Sequence, residues 1–265
     1  MKRYYNFLSL LVFFVFFFTG CLNNQENTSE TKYRIGDIIL NDGTILKDID
    51  HLTDTQKSKV IAIIYKVNNG KVWGMGIAKS PSNVCFCTDN ANAYYEFLDT
   101  IEIHYGKVKS NENDGIDWEF STLVGDKDGS DNLLQISNTL GNNDDTNDSD
   151  KYPAFYYCLN YKKLNESHLQ GSEYEEGWYL PTAYECLDIY LVKDQLNPVL
   201  EMCSGWKFDS ENNKFWTSSQ TEAFENEDGE GVTTYRAYTF SFYYGMPDDD
   251  PKNDARHSAF PIRQF

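Results

Sequence analysis

The sequence has few basic residues. It carries 23 lysines and arginines against 41 aspartates and glutamates, a formal net charge of −18. A chain this acidic repels phosphate backbones and anionic headgroups, which excludes nucleic acid as a partner and a basic face as a membrane anchor. Histidine is scarce: His51, His104, His168 and His257 are scattered along the chain, and each reads as a surface residue. Without histidines or a second cysteine pair nearby, Cys85-x-Cys87 does not make a zinc site. Long apolar runs are also missing. Phe7–Phe18 falls short of the ~20 residues that a spanning helix needs. No nucleophile elbow, metal-pair motif or phosphate loop occurs at its required spacing. Carboxylates are plentiful, but acid and base roles need geometry. The sequence therefore gives no catalytic residue, no cofactor and no metal ligand, and it reads as a non-enzyme.

Aromatic residues, by contrast, are abundant. They make up 15% of the chain, mostly tyrosine and phenylalanine, which suits β structure. The hydrophobic content of 40% is enough for a sizeable core, and 265 residues allow one large domain or two small ones.

Lys2 and Arg3, the apolar run Phe7–Phe18 and then Thr19-Gly20-Cys21 have the layout of a signal peptide. The segment resembles a bacterial lipoprotein signal. That resemblance implies cleavage after residue 20 and a lipid (diacylglyceryl and palmitate) on Cys21. Phe18 departs from the usual leucine of this box. Leu22 does not resemble an inner-membrane retention residue, so outer membrane or cell surface is expected. Loss of Lys2 and Arg3 takes the net charge from −18 to −20. Residues 21–32 are polar and lack periodicity, as expected of a flexible tether. Five cysteines then remain, namely Cys85, Cys87, Cys158, Cys186 and Cys203. Disulfides are allowed outside the cytoplasm, and an odd count leaves at least one thiol unpaired or shared between chains.

Two hairpins are expected in residues 33–79. Asn41-Asp42-Gly43 separates Ile38–Leu40 from Thr44–Leu46, and Asn69-Gly70 separates Val60–Val67 from Lys71–Ala78. Trp73, Met75 and Ile77 alternate with small or polar residues, so one face of the second hairpin is expected to be buried. Asn92–Thr100 fits a short helix or a strand edge. Asp126–Ser137 fails the EF-hand pattern at its sixth and twelfth positions. Ser130 or Asp131 is instead expected to cap a helix carrying Leu133, Leu134, Ile136 and Leu140 and ended by Gly141. Pro153 opens another helix. Phe215–Gln220, Tyr235–Tyr244 and Ser258–Phe265 read as strands. Asn142–Lys151, Glu222–Gly231 and Gly245–Asp254 read as acidic loops. Asp144, Asp145, Asp148 and Asp150, or Asp248, Asp249 and Asp250, could gather a weak ion, but no tight calcium site is expected.

The sharpest signal is Gly177-Trp178-Tyr179-Leu180-Pro181-Thr182-Ala183-Tyr184-Glu185. Pro181 keeps Leu180 extended. Thr182 and Glu185 stand at capping-box spacing, so a helix starts here, with Leu187, Tyr190 and Leu191 on its apolar side and Asn197-Pro198 as its end. Trp178 and Leu180 are expected to anchor this helix to a core.

Asp128-Gly129 with Asn132, Ala154–Tyr161, Gly177–Thr182, Phe215–Gln220, Ala237…Phe240 and Pro261–Phe265 occur in an order that resembles the C-terminal domain of the Legionella collagen-like adhesin and the Fibrobacter paralogous domain. Both lie in the C-type-lectin-like group that also holds formylglycine-generating enzymes. The resemblance covers residues 125–265 and departs from the family at Cys186 and in the last five residues. No repeat or linker divides residues 33–265, so they read as a single α+β domain, and the resemblance implies short antiparallel sheets, two to three helices and loops that present a ligand surface. The corresponding function is a lipid-anchored, adhesin-like protein binding a neutral glycan or a protein. An oxidase of the formylglycine-generating type is the alternative, and a structural envelope lipoprotein is another. The binding surface is expected between Gln220 and Ala259, with Tyr243 and Tyr244 as contact residues, because adjacent rings in a strand cannot both face a core.

Overall fold

Two hairpins begin the fold, each turned by the residues its turn type demands. In the computed structural model, residues 32–47, 51–105, 109–111, 115–117, 123–140, 145–211, 213–221, 224–225, 232–233 and 235–265 are described. Ile38–Leu40 (β1) pairs with Ile45–Leu46 (β2) across Asp42-Gly43. Asp54–Lys57 (α1) is a short capped helix. Val60–Asn68 (β3) and Lys71–Gly76 (β4) then pair across Asn69-Gly70. Both turn residues have positive φ, 49° and 80°, as a type I′ turn requires. The strands are wrapped on both faces, not one as expected: Met75 and Ile77 are buried, but so are Val72, Gly74 and Gly76. Phe265 lies over Gly74, and Pro261 and Tyr161 lie over Gly76, so this side has no room for larger residues.

The stretch Asn92–Thr100 resolves into 3-10 turns at Asn92–Tyr94 and Asp99–Ile101. Ile103–Tyr105 (β5) pairs with Leu123–Gly125 (β8), and Lys109–Asn111 (β6) with Gly115–Asp117 (β7). Asn132–Leu140 (α2) follows a 3-10 turn. Asp128, not Ser130 or Asp131, caps that turn by accepting from the Ser130 amide. Ile136 is buried, whereas Leu134 faces solvent. The expected stop at Gly141 lies outside the described residues. Pro153–Leu159 (α3) starts on its proline, whose missing N–H costs nothing in a first turn.

Ala183–Ser204 (α4) has the capping box written in the sequence. Thr182 Oγ1 accepts from the Glu185 amide at 3.0 Å, and Glu185 accepts from the Thr182 amide at 2.9 Å. The helix does not stop at Asn197-Pro198. It runs through the proline to Ser204 and ends on Gly205, in left-handed conformation. Leu196, Val199 and Leu200 are fully buried around that point. Burying three aliphatic side chains contributes about 1.5–3 kcal/mol each, more than the ~3 kcal/mol that an interior proline costs. Leu191, expected on the apolar side, is instead exposed, and Cys186, Leu187 and Ile189 do the packing. Thr182→Ala is expected to lower stability by about 1 kcal/mol through loss of the cap. An unchanged denaturant midpoint would contradict that.

Lys214–Gln220 (β9), Phe224–Glu225 (β10), Val232–Thr233 (β11), Arg236–Ser241 (β12), Met246–Pro251 (β13) and Ile262–Gln264 (β14) complete the chain. Two of the expected loops therefore contain strands. β10 pairs with β11 within and just after Glu222–Gly231, and Gly245–Asp254 supplies β13, the edge of a sheet ordered β13-β12-β9. Asp248, Asp249 and Asp250 hide this strand from sequence reading because carboxylates are rare in strands. At a sheet edge they are tolerated and discourage pairing with another chain. The larger sheet is ordered β14-β4-β3-β1-β2, so the last strand lies beside one of the first. The protein is α+β, and Tyr33–Phe265 forms one unit.

Three hydrophobic clusters fill it. One lies against α4 and the three-stranded sheet and holds Tyr65, Met75, Cys186, Leu200, Phe215 and Phe260. A second is built around Phe86, Phe155 and Trp216, and a third packs Ile61, Ile64 and Tyr161 on the other side of the larger sheet. Trp178 belongs to the third cluster, Tyr179 to the first and Leu180 to the second. Successive side chains of an extended segment point to opposite faces. Tyr179 therefore points away from Trp178 and Leu180, which share a side but end in different clusters, and it also bridges to Ile262 of β14.

Candidate functional site

The turn between β12 and β13 carries both tyrosines named from the sequence. Phe242 anchors it from below, stacked on Phe208 at 3.9 Å between ring centroids and touching Phe240 and Phe260. Helix α4 clamps it from the side: Lys193 donates to the Phe242 carbonyl at 2.8 Å. Gly245 closes the turn with φ of 73°, and its amide donates to Ser241. A Cβ at Gly245 would fall 2.2 Å from the Tyr190 ring, so only glycine fits. On this fixed base Tyr243 and Tyr244 are 49% and 53% exposed, their rings edge to face at 4.9 Å. Tyr244 donates its hydroxyl to Glu211, which raises the phenol's pKa. An exposed tyrosine offers a flat apolar face and a hydroxyl at small entropic cost.

A second aromatic group was not evident in the sequence. Tyr94 meets Tyr95 edge to face at 4.6 Å and stacks on Tyr235 at 6.3 Å. Tyr95 and Tyr235 are largely exposed. These residues are distant in sequence and only the fold joins them. A cleft of about 610 Å³ lies elsewhere, lined by Lys79, Tyr157, Glu166, His168 and Trp206 among others. It shares no residue with the tyrosine turn, and its Ile77–Lys79 edge lies outside the segment from Gln220 to Ala259 where the ligand surface is expected.

Most of the described cysteines lie in the core. Cys85, Cys87, Cys158 and Cys186 are buried, and none of the five is in a disulfide. Burial pushes the Cys85 thiol up to about 11 and drives Cys158 and Cys186 well above the ordinary value. A nucleophilic cysteine needs the opposite shift. Cys21 lies outside the described residues. Of the histidines, His257 departs from the expected surface position. Trp216 packs on its ring at 5.3 Å, its backbone bridges to Val84, and it is 6% exposed.

No family model matches the chain, and no curated protein matches it. A solved structure of a fimbrial protein from Bacteroides ovatus is similar in fold, with a TM-score of 0.50 and 12% identity. The match covers 88% of this chain and 48% of that one, so the chain spans about half the length of that protein. At this identity the likeness is one of fold.

Proposed function

We propose that the chain is a lipid-anchored, non-catalytic surface protein that binds a neutral glycan or another protein in the manner of an adhesin. The observation that carries this reading is the Tyr243–Tyr244 pair, held in solvent on a turn whose base is fixed by Phe242, Lys193 and Gly245. Fold likeness to a fimbrial protein and the resemblance of residues 125–265 to collagen-like adhesin domains support the same reading. Analogy of fold raises its prior without carrying it. Among the described residues no helix is long and apolar enough to cross a membrane. The anchor in this reading is a lipid on Cys21 at the outer membrane or cell surface, resting on the resemblance of residues 1–21 to a lipoprotein signal. An oxidase of the formylglycine-generating type fits less well, because the buried thiols are held protonated.

Two experiments test this. Cys21→Ala should abolish lipid labelling and move the protein from the membrane to the soluble fraction. Retention after a carbonate wash would contradict the anchor. The soluble domain should give reproducible hits on glycan arrays or on a panel of extracellular-matrix proteins. Any hit on a basic protein should weaken as salt rises, since the acidic surface steers it. Silence in both screens would leave a structural envelope lipoprotein as the better reading.

A further inference from the structure

Asp250 near the end of β13 and Asp254 and His257 in the loop that follows are brought together by the fold. Each offers one ligand atom, and these atoms lie within 4.8 Å of one another. His257 Nε2 stands 3.4 Å from Asp250 Oδ2 and 3.6 Å from Asp254 Oδ2. The three side chains are only 8–12% exposed. His257 Nε2 is buried and has no hydrogen-bond partner. An imidazolium bonded to a carboxylate would close to about 2.7–2.9 Å. The observed separations are wider. These two separations match edges of a coordination tetrahedron, in which ligands at ~2.0–2.2 Å from a zinc ion lie roughly 3.3–3.6 Å apart, and the two carboxylate oxygens lie within 4.8 Å of each other.

Each carboxylate is also held by protein donors, on the same Oδ2 that faces His257. Thr239 Oγ1 donates to Asp250 Oδ2 at 2.8 Å, and Lys214 Nζ does so at 3.2 Å. Arg256 holds Asp254 through its backbone amide and its guanidinium. Packing against Trp216 and the bridge to Val84 fix the His257 ring. Between the ligands, Lys252 is fully buried and ties the loop to the carbonyls of Ala93 and Glu96 at 2.7 Å each. The spacing Asp-x3-Asp-x2-His therefore sits on a loop fastened at several points, and it was hidden in the sequence by the acidic residues around it.

We propose that Asp250, Asp254 and His257 bind one first-row divalent cation of the zinc class. One imidazole nitrogen and two carboxylate oxygens suit such an ion. Calcium favours six to eight oxygens and magnesium an octahedral oxygen shell. The ion holds the end of β13 to the Val84 segment and leaves a coordination position for water or a ligand group. The exposed acidic residues of 145–150 have no buried nitrogen ligand and are not part of this site.

The test uses the untagged soluble domain, stripped with chelator and dialysed. Titration calorimetry with zinc chloride should give one ion per chain, and the thermal midpoint should rise with zinc but not with calcium at the same concentration. His257→Gln and Asp254→Asn should each weaken zinc binding at least ~10-fold, the low end of what losing even an outer partner of a metal site costs. Both variants should keep the wild-type circular dichroism spectrum, and Asp145→Asn should bind zinc like the wild type. Should either site variant misfold, zinc quantified by mass spectrometry on the native wild-type chain decides. Absence of binding to the wild type, or equal binding by folded site variants, would overturn the proposal.

Discussion

Trp178→Ala should lower the unfolding free energy of the soluble domain by about 3–5 kcal/mol, the range for emptying a buried aromatic site. Trp178 is 1% exposed. Its ring meets Tyr161 at 5.0 Å and Phe265 at 5.9 Å, both edge to face, and Nε1 donates to the Tyr174 carbonyl at 2.8 Å. Tyr161 in turn packs under Gly76, and Phe265 covers Gly74, so the cavity would open beneath β4 itself. The surrounding strands are pinned by their ladders and cannot collapse into it. Trp178→Phe separates the contributions. It keeps most of the packing and removes one hydrogen bond to a part-buried carbonyl, a cost of about 1 kcal/mol. Urea midpoints for the two variants measure both effects. A midpoint unchanged by Trp178→Ala would mean that the segment joining the three clusters does not organise the fold.

A large pH effect is expected from Glu185. The residue is 4% exposed, and burial is the main reason its carboxyl is pushed up to about 7 from 4.5. Hydrogen bonds from Thr182, Tyr179 and Gly129 work against that rise without cancelling it. Between pH 4.5 and 7 the folded chain holds a proton that the unfolded chain has released. Stability contributed by this group is therefore complete below pH 4.5, falls as pH rises and is gone above 7. At about 1.4 kcal/mol per pH unit the loss across the window is about 3 kcal/mol. Asp126, also raised by burial, adds in the same direction. Carboxylates held low, such as Asp42, act below pH 4, outside the window. Glu185→Gln should flatten the slope, because its carbonyl can accept from the Thr182 and Gly129 amides while its amide faces the Tyr179 hydroxyl. Denaturant melts at half-unit pH steps measure this. A wild-type curve flat from pH 4.5 to 7, or the same slope in the variant, would contradict it.

Local signals survived into the fold where they are satisfied locally. The capping box at Thr182–Glu185, the turn at Asn69-Gly70 and the helix start at Pro153 each depend on residues within a few positions. The misreadings arise where distant packing decides. Pro198 stays helical because Leu196, Val199 and Leu200 are buried by elements far along the chain. Asp248–Asp250 form a strand because β12 is there to pair with, and Lys214 and Arg236 take up Asp248 and Asp249. His257 is buried by Trp216 and bridged to Val84, neither of them close in sequence. At the candidate site, Tyr243 and Tyr244 were readable because two adjacent rings in an extended segment cannot both face a core; the strand itself stops at Ser241 and the pair sits on the turn. The Tyr94–Tyr95–Tyr235 group was not, since it exists only once the chain has folded.

The binding account rests on the tyrosine turn, and a paired substitution addresses it directly. The best hit from the glycan or matrix-protein screens should be titrated against the wild-type domain, Tyr243→Ala, Tyr244→Ala and the double variant, with thermal midpoints measured alongside. The account predicts weaker binding in each single variant and loss of measurable binding in the double, with midpoints within a few degrees of wild type because both rings are largely exposed. Wild-type affinity in the double variant would contradict it and move the ligand surface elsewhere on the domain.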